Sequence, residues 1–275
     1  MDGGPVLGAA ARSLWEGILR WAFPDECRGC GVPLGASPTL CPTCWAGIQT
    51  WGRLQDASIS APEEPDAAME ARAATLYDGA VRGAILAMKM EGRPRLCRPL
   101  ANLIANITPP LYQWDDYIAL IPIPSHRVRR AERGFNQTEL LAKWLSPQVG
   151  LPVRASWFKR VKATRPLSGL EGGMEARRDE VRDAFRSGPI PEEQQGSSAL
   201  LVDDILTTGA TTTEAARGLI AAGLGRVDVI CVARSLPDDG ADDGADEGAD
   251  EGADEWAEDL DDDASEEFDH ADDAA

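Results

Sequence analysis

Short apolar runs alternate with amphipathic stretches from about residue 72 onward, and that alternation predicts the fold. Three runs are apolar enough for buried strands: YIALIPIP (117–124), ALLVDD (199–204) and RVDVICVAR (226–234). The first ends at prolines, which cannot continue a central ladder. Residues 72–77 and 153–158 fit two further strands. Helical stretches lie between them at 79–91 and 95–107. A third opens at Gln137, with Asn136 at the N-cap position, and runs to about Trp144. A fourth, in TTGATTTEAARGLIAAG, follows a Gly-containing turn and is closed by Gly223. Strands alternating with helices predict an α/β domain built on a parallel sheet. Residues 159–182 are polar, Gly-containing and Arg-rich, and read as a mobile loop followed by a helix. Nearer the start, residues 12–22 space Leu14, Ile18 and Trp21 as an amphipathic helix, and the Pro-, Glu- and Ala-rich residues 53–70 read as a linker.

Charge divides the chain. The formal net charge is −19, yet of the 46 acids 20 follow Pro237, which leaves 26 against 27 Lys and Arg in the body. The tail, 237–275, repeats GADD and GADE with little apolar content, and such a segment cannot bury enough surface to offset its ordering entropy, so it reads as disordered. Three roles suit it: a solvating tail, an adaptation to a salty cytoplasm, or a nucleic-acid mimic that occupies a basic site in cis. Trp256, Leu260 and Phe268 are its candidate docking points. No run approaches the length of a membrane span. The first residues lack a basic n-region, so no signal peptide and a cytoplasmic location are expected.

Four of the six cysteines, Cys27, Cys30, Cys41 and Cys44, form two CxxC pairs separated by ten residues. Two residues between thiolates fit a tight turn whose amides point at the sulfurs, and two such turns supply four sulfurs for tetrahedral zinc. Gly29, Gly31 and Pro42 serve the turns. A closed four-cysteine site has no open coordination position, so the metal is expected to be structural and to supply most of so small a module's stability. Cys97 and Cys231 sit in apolar segments, as core residues would.

Residues 199–213, ALLVDDILTTGATTT, carry the second candidate chemistry. An apolar strand delivers Asp203 and Asp204 at its carboxyl end, and Thr207, Thr208, Gly209, Ala210 and Thr211 then open a helix. Ligands of open α/β sheets bind at the carboxyl ends of strands, and a helix start offers unpaired amides and positive potential to a phosphate. The two carboxylates suit cis-diol hydroxyls, or magnesium through water. After the strand at 117–124 a basic loop, SHRVRRAERGFN, concentrates Arg127, Arg129, Arg130 and Arg133, a cluster suited to pyrophosphate.

In sequence, a four-cysteine ribbon, then R–x–x–RGFNQ (Arg130, Arg133, Gly134, Phe135, Asn136, Gln137), then DD–x–x–TTGAT resemble the ComF family over about residues 15 to 235. The last segment alone is similar to the phosphoribosyl pyrophosphate signature of type I phosphoribosyltransferases. The resemblance implies an N-terminal helix (1–22), a zinc ribbon (23–52), the linker (53–70), a type I phosphoribosyltransferase-like domain (71–236) and the acidic tail (237–275). It implies that Asp203 and Asp204 meet the ribose 2′ and 3′ hydroxyls, that Thr207 through Thr211 cradle the 5′-phosphate, and that Arg127, Arg130 and Arg133 stabilise pyrophosphate leaving from C1′, with Mg2+ as companion ion. Transfer of the phosphoribosyl group to a nitrogen acceptor would follow, although no residue emerges as a general base. ComF-like proteins are associated with DNA uptake, which implies single-stranded DNA and a helicase-like protein as partners. The alternative is a non-catalytic nucleotide- or DNA-binding scaffold that docks such a partner through the zinc ribbon. Two positions depart from the family pattern: Leu167, three residues after Thr164, replaces a glutamine, and Glu180, three after Arg177, replaces an asparagine, whereas Ala184 and Phe185 are kept. Acceptor recognition is where this chain is expected to differ.

Overall fold

The computed structural model describes residues 26–34, 39–50, 59–60, 70–106, 113–125, 130–131, 133–162, 176 and 179–236. The expected helix at 1–22, most of the 53–70 linker, much of 159–182 and the acidic tail lie outside the described residues. The described elements in chain order are α1 (Pro42–Ala46), β1 (Ile59–Ser60), β2 (Glu70–Leu76), α2 (Gly79–Met90), α3 (Cys97–Ala105), β3 (Leu120–Pro122), α4 (Gln137–Val149), β4 (Phe158–Arg160), β5 (Phe185–Ser187), β6 (Ser198–Leu206), α5 (Ala210–Ala221) and β7 (Arg226–Arg234). The main sheet runs β1-β2-β7-β6-β3. β2, β7, β6 and β3 are mutually parallel, and β1, inside the expected linker, pairs antiparallel on the β2 edge. This is the α/β parallel-sheet architecture read from the pattern.

Side-chain alternation sends the central strands into two cores, as a sheet covered on both faces requires. Leu200, Val202, Ile230 and Val232 face α2, α3 and α4. Ala199, Leu201, Val227, Val229 and Cys231 face α5 and the Trp157–Phe158 corner. Cys27, Leu34, Leu40 and Cys41 of the cysteine module belong to the first core, together with Ala84, Ile85, Ala87 and Met88 of α2. Cys97 and Cys231 are fully buried, as expected. Among the described residues no helix is long and apolar enough to cross a membrane.

Several boundaries differ from the sequence reading. Residues 153–158 do not make a strand: Val153 forms one bridge to Leu120, a 3-10 turn follows at Ala155–Trp157, and β4 begins only at Phe158. β4 pairs with an unforeseen β5, and Phe158 stacks on Phe185 at 4.9 Å. α4 continues past Trp144 and through Pro147 to Val149. Pro147 has no amide to donate to the Lys143 carbonyl; Gln148 Nε2 adds a bond to the neighbouring Trp144 carbonyl (2.7 Å), and Gly150 closes the helix in the left-handed conformation (φ 76). Asn136 does stand at the N-cap of α4, yet its side chain makes no capping bond.

Candidate functional site

The cysteine module brings its four sulfurs within 4.8 Å of one another. Cys30 and Cys41 Sγ are 3.8 Å apart, which matches the edge of a tetrahedron with metal–sulfur bonds of about 2.3 Å. The turns aim amides at sulfur as the spacing implied: Cys27 Sγ accepts from Gly29 N (3.4 Å) and Cys41 N (3.2 Å), and Cys41 Sγ from Cys44 N (3.4 Å). Burial pushes the Cys27 thiol up, but the amides of Cys41, Gly29 and Cys30 outweigh it and bring it down to about 6. Cys44 moves the other way, to about 12, held up by its hydrogen bond with Cys30 and by burial. A group that places one thiolate-ready sulfur beside three others can hold a metal such as zinc.

The second site lies where β6 meets α5. Asp203 and Asp204 lie in the last half of β6, two residues short of its buried final residue Leu206, and leave the sheet on opposite faces. Asp204 points toward the α2–α3 side, where it is 4% exposed and Lys89 of α2 donates to its Oδ1 at 2.9 Å. Its other oxygen, Oδ2, is buried without a protein partner. One of its two oxygens is therefore engaged by Lys89 and the other is left for a ligand. On the same side, burial and then the charge of Asp204 push the Cys97 thiol up to about 12. Asp203 is half-buried, accepts from the Asp204 amide (2.8 Å), and sits across from Cys231 in the β6–β7 register. Burial, then the charge of Asp204, raises its carboxyl to about 7 against the pull of Lys89, that backbone amide and Arg160.

The turn after β6 presents Thr207 exposed and Thr208, Gly209 and Thr211 half-buried, whereas the Ala210 side chain is buried, so that residue can offer a ligand only its backbone. Gly209 caps α5 with φ 78, a conformation that glycine reaches without strain. The hydroxyls of Thr208 and Thr213 are buried with no protein partner, while Thr212 Oγ1 donates to the Gly209 carbonyl at 2.9 Å.

The RGFNQ segment is tied to the end of β3, which lies beside the carboxylates of β6: Pro122 pairs with Val202, and Ile123 N donates to the Val202 carbonyl (3.0 Å). Its polar residues fasten the loop. Thr138 Oγ1 donates to the Ile123 carbonyl (2.5 Å) and lies 2.8 Å from the Asn136 side chain, and Ser125 Oγ bonds to Asn136 (3.0 Å) and Gln137 (3.3 Å). Asn136 and Gln137 thus pin the loop to the strand end, a role that charge counting does not reveal. Arg133 donates to Gln137 Oε1 at 3.4 Å, and the exposed Arg130 stands 4.0 Å from Glu139. Arg127 lies outside the described residues.

Two residues of the site escaped the sequence reading. Lys89 follows Ile85 by four positions, on the edge of the buried stripe of α2, and a lysine there was the available signal. Arg160 closes β4, and no local pattern links it to Asp203.

No family model matches the chain. Among curated proteins, DNA utilization protein YhgH of Salmonella typhimurium is 30% identical over 217 residues, covering 76% of this chain and 84% of that protein. Competence protein F of Haemophilus influenzae is 34% identical over 117 residues, 42% of this chain, and the match spans 50% of that protein's length. Competence protein ComFC of Bacillus subtilis is 25% identical over 209 residues, 73% of this chain and 80% of that protein. Among solved structures, adenine phosphoribosyltransferase from Trypanosoma brucei, in complex with AMP, pyrophosphate and ribose-5-phosphate, is 12% identical with a TM-score of 0.31, over 54% of this chain and 68% of that one, a likeness too slight to carry an argument.

Proposed function

The chain belongs to the ComF family, and from that premise we propose that it binds phosphoribosyl pyrophosphate, or another ribose 5-phosphate, at the carboxyl edge of its sheet, and that it serves DNA uptake. The junction of β6 and α5 carries the reading. Two adjacent carboxylates at a strand end are followed at once by a left-handed Gly209 and a helix start, with Asp204 Oδ2 and the Thr208 hydroxyl buried and unpartnered. Asp203 and Asp204 take the ribose hydroxyls. The amides and hydroxyls of Thr207 through Thr211 take the 5′-phosphate, whose charge the α5 dipole favours. Arg127, Arg130 and Arg133 receive the pyrophosphate. The carboxylates also suit a magnesium ion held through water, which would neutralise part of the pyrophosphate charge. Cys27, Cys30, Cys41 and Cys44 hold zinc, in a closed and therefore structural site.

If the chain is a transferase, the bond from C1′ to pyrophosphate breaks while a nitrogen nucleophile attacks, and the protein contributes position and charge rather than covalent chemistry. A second reading, a non-catalytic nucleotide or DNA sensor that docks a helicase-like partner through the zinc ribbon, is favoured by the pairing of Asp204 with Lys89, which leaves that carboxylate half occupied. Phosphoribosyl pyrophosphate with magnesium should raise the melting temperature by mass action, by about 2.7 kcal/mol of stability at 100 times Kd. Release of pyrophosphate in the presence of a panel of nitrogenous bases separates the readings: release means transfer, and stabilisation without release means sensing.

A further inference from the structure

The backbone of the first cysteine turn lies directly on α2. A Cβ added at Gly83 would stand 2.4 Å from the Arg28 carbonyl oxygen and 2.7 Å from Arg28 Cβ, and one added at Gly29 would stand 3.0 Å from Ala80 Cβ. Arg28 also reaches the far end of the helix, where its guanidinium pairs with Glu91, the C-cap residue of α2. Glu91 in turn accepts from Arg93 at 2.8 Å. The turn therefore grips α2 at two places, Ala80–Gly83 and Glu91, and Lys89 projects from the stretch between them to meet Asp204 at 2.9 Å. Behind this contact, Leu34 and Leu40 of the module pack in one core with Ala84, Ile85 and Met88.

We propose that the four-cysteine module is a positioning element of the carboxylate site, and that it acts through α2 and Lys89. Metal binding fixes the turn at 27–31, the turn fixes the roll and the end of α2, and α2 delivers Lys89 to Asp204. Lys89 is the positioning residue: it neutralises a carboxylate that is 5% exposed in its side chain, and it fixes which of the two oxygens remains for a ligand. A buried carboxylate without this partner would be an uncompensated charge, and its side chain would turn toward water. The inference rests on the ribose 5-phosphate reading for its ligand, but not for its mechanics.

The test compares zinc-loaded with chelator-stripped full-length protein in two measurements: affinity for ribose 5-phosphate, and the rate at which an amine-acylating reagent labels Lys89, read by mass spectrometry. Stripping should weaken ribose 5-phosphate by up to about a hundred-fold, the scale on which a misplacement of about 1 Å acts, and should label Lys89 several-fold faster. Gly83→Ala, which leaves every cysteine in place and favours the α2 helix itself, should do the same with zinc still bound; it carries the test if stripping unfolds more than the module. Lys89→Ala should weaken binding and also abolish its sensitivity to zinc, whereas Lys89→Arg should keep most of both. Unchanged Lys89 labelling after stripping and in Gly83→Ala overturns the proposal. So does a Lys89→Ala variant whose affinity still responds fully to zinc. If the wild type binds no ribose 5-phosphate at millimolar concentration, the site reading falls, and the labelling arm still decides whether the module positions Lys89.

Discussion

Replacing Asp203 by Asn should make the protein more stable and less able to hold ribose. Burial and the neighbouring Asp204 raise the Asp203 carboxyl from an ordinary 3.8 to about 7, so the folded chain keeps its proton over a range in which the unfolded chain has lost it. In that range the folded state binds more protons, and stability falls as pH rises. The loss begins near the unfolded value of 3.8, grows toward about 7 and is constant above it. The full interval corresponds to about 4 kcal/mol between the two protonation states. Asp203 is half-buried, and water relieves part of that penalty, so a gain of about 2 kcal/mol above neutral pH is expected. Asn has no charge to lose and retains an oxygen for the Asp204 amide, the bond Asp203 Oδ1 now accepts at 2.8 Å. Urea unfolding of both proteins from about pH 5 to about pH 8 reads the difference, which should widen with pH and level off above about 7. A difference independent of pH, or an Asn variant less stable than wild type at about pH 8, would refute the reasoning. Functional sites commonly hold groups that cost stability, and the same variant should lose affinity for ribose 5-phosphate while it gains stability.

Gly209→Ala forces a side chain into φ 78; it should cost about 1 kcal/mol of stability and weaken inorganic phosphate and ribose 5-phosphate alike, measured by thermal melting and titration. Asp228 is fully buried and accepts from Glu70 N (2.8 Å), Tyr117 Oη (2.6 Å) and Arg226 Nε (2.8 Å); Asp228→Ala should destabilise by about 3 kcal/mol in urea yet spare ribose 5-phosphate affinity, because Asp228 pairs with Leu200, about 10 Å along the strands from the level of Asp203. Deleting residues 238–275 removes 20 acids and no Lys or Arg; it should strengthen binding of single-stranded DNA at low salt, an effect that fades as salt rises in a filter-binding series.

The parallel α/β plan was legible because its strands are buried on both faces and read as continuous apolar runs; RVDVICVAR coincides with β7 to the residue. The four cysteines were legible for a different reason: metal ligands obey a spacing that needs no tertiary knowledge. β5 was not legible, since FRS is three residues long and gains its strand character only from pairing with β4. Residues 153–158 misled because their apolar content serves a 3-10 turn that seats Trp157 rather than a ladder. At the site, Asp203, Asp204 and Gly209 announced themselves locally. Lys89 did not, because its partner lies 115 positions along the chain, and neither did the clamp role of Asn136 and Gln137, which depends on Ser125 coming back to meet them. Periodicity reports burial and spacing reports ligands, whereas ion pairs between distant elements leave only a charged residue at the edge of an apolar stripe.

Calorimetric titration of ribose 5-phosphate and of inorganic phosphate, with magnesium, into the wild type and Asp204→Asn tests the central claim most directly. The wild type should bind ribose 5-phosphate more tightly than phosphate, because the two carboxylates add contacts that only the sugar can use. Asp204→Asn should narrow that preference and leave phosphate binding near its original strength, with Lys89, 22% exposed, free to turn to water. A wild type that binds neither ligand at millimolar concentration, or a preference for the sugar that the substitution leaves undiminished, would contradict the assignment of Asp203, Asp204 and Thr207 through Thr211 to one ribose 5-phosphate site.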